Sequence, residues 1–141
     1  MKVILQDNNY FVLRFDKDEK VFQGLIDFMT AQNCSACSFV GIGTASTVEV
    51  GYYNPHLKDY RKKPYVEDLE IVSLTGNGSI SSEDNKPAIH AHGVVSRNDF
   101  TTLGGHFFEI TVGATVEISL TKLNGKINRK KVPELNLNLL D

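Results

Sequence analysis

Val21, Phe22, Leu25, Ile26 and Met29 recur at helical spacing and give one apolar stripe, which predicts a single early helix facing a core. Just ahead of it, Asp16 and Glu19 have the spacing of a capping box. The helix is expected to end near Gln32 or Asn33, and the apolar run Tyr10 to Phe15 before it reads as a strand. After the helix the period changes to two. From Thr47 to Tyr53, Val48, Val50 and Tyr52 alternate with Thr47, Glu49 and Gly51. Glu70 to Thr75 and Ile89 to Val95 are two further strand-like stretches. In the longest, Phe107 to Leu120, Ile110, Val112, Ala114, Val116, Ile118 and Leu120 point one way, and Thr111, Thr115, Glu117 and Ser119 the other. Such alternation predicts half-buried strands of a largely antiparallel sheet.

The polar stretches Asn54 to Pro64 and Gly76 to Pro87 read as surface loops. Asn124-Gly125 predicts a turn into a C-terminal tail, residues 124–141, with a basic run and a Leu-rich end. No repeat or Pro/Gly/Ser linker divides the chain. One helix followed by many strands predicts an α+β class with a largely antiparallel β-sheet, in a single domain over residues 1–141.

A chain of 141 residues can bury a working core without disulfides or a structural metal, so a metal here would be functional. Net charge is −2 and the sequence pI is about 6.1, which lacks the basic balance of a free-standing DNA binder. No apolar run approaches the ~20 residues needed to span a bilayer. Val3 to Leu5 is too short for a signal-peptide core. The protein is expected to be cytoplasmic, with no membrane partner. Its two cysteines, Cys34 and Cys37, do not suggest a secreted disulfide scaffold.

His90-Ala91-His92 carries the strongest chemical signal. On a strand, i and i+2 share a face, so both rings project together, about 6–7 Å apart along the backbone. Two such rings can reach one metal ion. His106, after Gly104-Gly105, is the candidate third ligand, with the glycines allowing a turn or a close backbone approach. Three imidazoles with an open fourth position suit a reactive zinc site, and also nickel, copper or iron. The other reading is a hydrogen-bonded polar patch that only ties the sheet together.

The remaining motifs carry less. Cys34-Ser35-Ala36-Cys37 has the redox spelling but follows a helix and enters a strand, so it reads as buried small side chains. Gly41-Ile42-Gly43 is too short for a dinucleotide fingerprint and reads as close packing or a bulge. Arg61-Lys62-Lys63, and Lys126 with Arg129-Lys130-Lys131, read as solvated loop charge that could add into a phosphate-touching patch in an oligomer. His56 reads as exposed. Glu109, three residues after His106, is a candidate to orient an imidazole or transfer a proton. Glu117 reads as an ordinary strand carboxylate.

Gly41-Ile42-Gly43, Gly51-Tyr52-Tyr53-Asn54, Leu74-Thr75-Gly76-Asn77-Gly78, Pro87-Ala88-Ile89-His90-Ala91-His92, Gly104-Gly105-His106-Phe107 and Thr115-Val116-Glu117-Ile118 together resemble the plant- and prokaryote-conserved (PPC) domain, from about Tyr10 to Leu120. The resemblance is to the stand-alone prokaryotic type, related to the domain that follows an AT-hook in nuclear-localised plant proteins. It implies a largely antiparallel β-sheet flanked by helices, a homotrimer, a DNA-binding or regulatory role, and a zinc-type metal on His90, His92 and His106. An AT-hook needs an Arg-Gly-Arg core, and this chain has no such tripeptide.

Two functions follow as expectations. One is a homotrimeric assembly module in a regulatory or DNA-associated role. The other is a metal-dependent enzyme or small-ligand binder using the open three-histidine site, with Glu109 as proton shuttle.

Overall fold

The computed structural model describes residues 1–141. The apolar stripe becomes helix α1 (Val21–Ala31), which buries Val21, Phe22, Leu25, Phe28 and Met29. Phe28 rather than Ile26 completes the stripe, set edge-on against Phe11 with ring centroids 5.0 Å apart. Gln32 caps the C-terminal end, its N–H donating to the Phe28 carbonyl. The Asp16–Glu19 pair closes the turn ahead of the helix: the Asp16 N–H donates to Glu19 Oε2 at 2.8 Å. The helix itself starts later, with Lys20 as an N-cap whose side chain makes no capping bond.

The strands are β1 (Lys2–Asp7), β2 (Tyr10–Asp16), β3 (Cys37–Asn54), β4 (Asp59–Ser81), β5 (Pro87–Ser96), β6 (Thr102–Lys122), β7 (Asn128–Val132) and β8 (Leu137–Leu140). They pair antiparallel except for a short parallel contact of β4 with β7. The main path runs β1-β2-β6-β3-β4-β7-β8, and β5 pairs with both β4 and β6. Strands β3, β4, β5 and β6 therefore form a closed circuit. Their inward residues join α1 in one core cluster that includes Phe39, Leu74, Ala91, Phe107, Ile110 and Ile118.

Three expectations need correction. The stretches 54–64 and 76–87 are mostly strand: the turns occupy only residues 55–58 and 82–86, and the rest extends β3 and β4. The outer part of that hairpin is exposed on both faces, so it shows no apolar alternation to read. Pro64 fits there because β4 pairs only with β3 at that level, leaving the edge where proline needs no N–H. The tail is a hairpin, β7–β8. Finally, the sheet is not flanked by helices: α1 is the one helix, and the outer sheet face leaves Val40, Ile42, Val72 and Val94 exposed. Val48 and Val50 are buried as expected, whereas Tyr52 and Ala114 are exposed. No helix is long and apolar enough to cross a membrane.

Candidate metal centre

The site lies on the outer face of the β5–β6 hairpin. Ala91 and Phe107 are register partners and point into the core, each essentially buried. Their neighbours must point outward, which puts His90 and His92 on the opposite face. His106 is the direct cross-strand partner of His92. This register needs the Gly104-Gly105 pair: a Cβ on Gly104 would sit 2.4 Å from the Gly93 carbonyl oxygen, and Gly105 has φ +155°. The two glycines thus serve the close approach their sequence position suggested.

The three rings form a near-equilateral triangle, with centroids 5.2, 5.0 and 5.3 Å apart. One ligand-capable atom from each lies within 4.8 Å of the others. Tetrahedral zinc with bonds of 2.0–2.1 Å places its nitrogens about 3.3 Å apart, so the three rings would have to draw closer to hold one ion. The donor set fits such an ion in a second respect. His106 Nδ1 is buried and has no hydrogen-bond partner within the protein. A buried polar atom left unpaired is costly, and coordination would satisfy it.

Electrostatics keep His90 and His106 ready as neutral ligands. Burial pushes His106 down to about 4, helped by the positive potential of His90, His92, Lys62 and Arg129. Burial, then Arg129 and His92, lowers His90 as well. Tyr60 packs on His106 at 4.9 Å and Phe108 at 4.5 Å, and Lys62 Nζ stands 3.7 Å over the Phe108 ring. His92 is exposed, so the triangle opens to solvent on that side.

Glu109 is not part of this site. It accepts from the Phe22 N–H at 2.8 Å, the Gln23 N–H at 3.3 Å and its own Ile110 N–H at 2.9 Å. The Phe22 and Gln23 amides belong to the first turn of α1, so Glu109 supplies from β6 the cap that Lys20 does not. With its oxygens so engaged, it is no proton shuttle for His106. Glu117 is exposed, as is His56 in the β3–β4 turn. Cys34 and Cys37 are free and buried, matching the packing reading. Gly41 and Gly43 flank a register shift in β3, matching the bulge.

Arg129 departs from its reading as solvated loop charge. It is 7% exposed. It donates to Ser79 Oγ at 2.9 Å, Asn77 Oδ1 at 2.7 Å, the Asn138 carbonyl at 3.0 Å and His90 Nδ1 at 3.2 Å. Nothing in the run Arg129-Lys130-Lys131 marks the first residue as buried. Only the parallel pairing of Ser81 with Arg129 turns it toward the histidines.

Residues 5–124 match the family model of the Plants and Prokaryotes Conserved (PCC) domain. No curated protein matches the chain in sequence. Among solved structures, the chain is similar to a putative DNA-binding protein from Bacteroides thetaiotaomicron, with a TM-score of 0.90 and 27% identity over 97% of this chain and 94% of that one. It is similar to a plant- and prokaryote-conserved (PPC) protein of Pyrococcus horikoshii, with a TM-score of 0.88 and 28% identity over 100% and 97% of the two chains. A protein of Archaeoglobus fulgidus described as metal-containing aligns with a TM-score of 0.85 and 29% identity over 99% of each chain. The motifs, the fold and the matched length agree: the chain belongs to the PCC (PPC) domain family.

Proposed function

We propose that the protein is a metal-binding PPC-domain protein in which His90, His92 and His106 hold a divalent cation, zinc foremost, and which works as a homotrimer in a DNA-associated regulatory role. The observation that carries the metal assignment is the convergence of three imidazoles, with ligand-capable atoms within 4.8 Å and no carboxylate among them. All-nitrogen ligands favour zinc and its transition-metal neighbours over magnesium or calcium, which prefer oxygen. The metal-containing relative from Archaeoglobus supports the same reading.

The DNA-associated role takes its support from the Bacteroides relative's name and from the charge distribution. Lys58 and Asn136 are hydrogen-bonded, so the β3–β4 turn meets the β7–β8 turn. Lys58, Arg61, Lys62, Lys63, Lys130 and Lys131 lie in these turns or the strands that flank them, against Glu49, Asp59 and Glu134. This local patch offsets the acidic net charge of the whole chain. Trimer formation is supported by the outer face. Through the register, Val40, Thr75, His92 and His106 lie in one row across four strands, with exposed Ile42 and Val94 beside it. A subunit packed there would cover apolar surface and close over His92. A cytoplasmic setting accords with two free cysteines.

The tests are separable. Elemental analysis of untagged protein should give one zinc per chain in the wild type and little in His92→Ala; equal, low metal in both refutes the centre. Native mass spectrometry should show a trimer that Ile42→Asp dissociates. Affinity for duplex DNA should fall linearly on a log–log salt plot, at about 0.9 per phosphate neutralised, and salt-independent or undetectable binding refutes the DNA role.

A metal-dependent enzyme is the second reading, favoured by the open side of the triangle. It is weakened by the position of Glu109, which leaves no carboxylate at the histidines for proton transfer.

A further inference from the structure

We propose that the cleft beside the three histidines binds a small organic carboxylate, held by Arg129 against a wall of aliphatic side chains. The cleft, of about 320 Å³, lies between the β5–β6 face and the β7–β8 hairpin. Its polar wall carries His90, Arg129 and Lys131, and its apolar wall carries Ile89, Leu137 and Leu139. No aspartate or glutamate lines it.

Arg129 gives the cleft its sign. All four of its acceptors are uncharged, and no carboxylate lies within ion-pair distance of it. A buried guanidinium without an anion is costly, and Lys131 on the same wall adds to the positive potential. One of the five guanidinium N–H groups remains undirected after these four bonds. A ligand carboxylate would neutralise the charge and accept that proton. The aliphatic wall selects the rest of the ligand. Leu137, Leu139 and Ile89 offer nothing to inorganic phosphate, but would bury a short hydrocarbon body. A site of this volume is at the small end of ligand pockets, which points to a body of a few carbons. The proposal does not require the metal; an ion on the imidazoles would add further positive charge.

The test is titration calorimetry with isovalerate, its uncharged analogue isovaleramide, and inorganic phosphate, on zinc-free and zinc-loaded protein. Isovalerate is expected to bind about tenfold more tightly than the amide, the equivalent of one charge-assisted hydrogen bond. Arg129→Met should erase that preference. Because Arg129 is buried and its loss can impair folding, Leu139→Glu at the rim gives a second test, weakening isovalerate about tenfold by placing an anion at the mouth. Equal binding of acid and amide, phosphate binding as tight as isovalerate, or no isovalerate binding overturns the proposal. Isovalerate binding by protein that takes up no zinc supports this proposal while refuting the metal centre. Zinc uptake without discrimination between acid and amide does the reverse.

Discussion

Arg129 donates from Nη2 to Nδ1 of His90 across 3.2 Å, and this bond is incompatible with metal coordination by the same ring. A guanidinium has no lone pair to offer, so His90 Nδ1 accepts and the proton of the neutral ring sits on Nε2. An ion on Nε2 would force the proton to Nδ1, facing another N–H. An ion on Nδ1 would displace Arg129 outright. Metal-free and metal-loaded protein therefore differ at Arg129.

It follows that Arg129→Met should tighten zinc binding by about tenfold, since it removes both a competitor for His90 and a repelling charge. Competition with a chromophoric chelator measures this, on protein whose fold is verified by circular dichroism. Unchanged or weaker affinity would count against the exclusion.

The zinc-free protein should lose stability as pH falls. His106 sits at about 4 in the fold against 6.5 when unperturbed. Between these values the unfolded chain binds a proton that the folded chain refuses. This contribution is fully present above about pH 6.5 and declines as pH falls toward 4, with His90 acting in the same direction. Urea midpoints measured with chelator present should fall over that window, and fall less steeply in His106→Phe. A midpoint that holds level or rises on acidification contradicts it.

Glu109→Ala should destabilise the fold by about 1–2 kcal/mol through loss of the α1 cap, and leave zinc stoichiometry unchanged. Loss of zinc in this variant, with stability intact, would return Glu109 to the metal centre.

Gly104→Ala should cost about 2 kcal/mol or more, because the new Cβ meets the Gly93 carbonyl rather than a movable side chain. It should also weaken zinc binding, since it spreads the strands that set His92 opposite His106. Thermal melts and zinc titration on the same sample read both effects.

Strand geometry alone placed His90 and His92 together, because a two-residue period is visible in the sequence. His106 was legible only as part of a family pattern, since the register that sets it opposite His92 depends on the β5–β6 turn and the Gly104 approach. Glu109 was misread because its partners are amides of α1, 86–87 residues away along the chain. Arg129 was missed for the same reason, its neighbours Asn77, Ser79 and His90 belonging to β4 and β5. The helix stripe and the long β6 alternation were legible because each has one buried face. The outer hairpin, exposed on both sides, left no such trace.

All three imidazoles belong to one continuous hairpin, from Pro87 to Lys122. The donor triangle is thus a local cassette: one short stretch of gene encodes every ligand and the glycines that align them. Substituting only the three histidines would remove the donor set, while the inward faces of β5 and β6 keep the packing of α1 and the pairing of β2. A chain with other side chains at these three positions can therefore share this backbone.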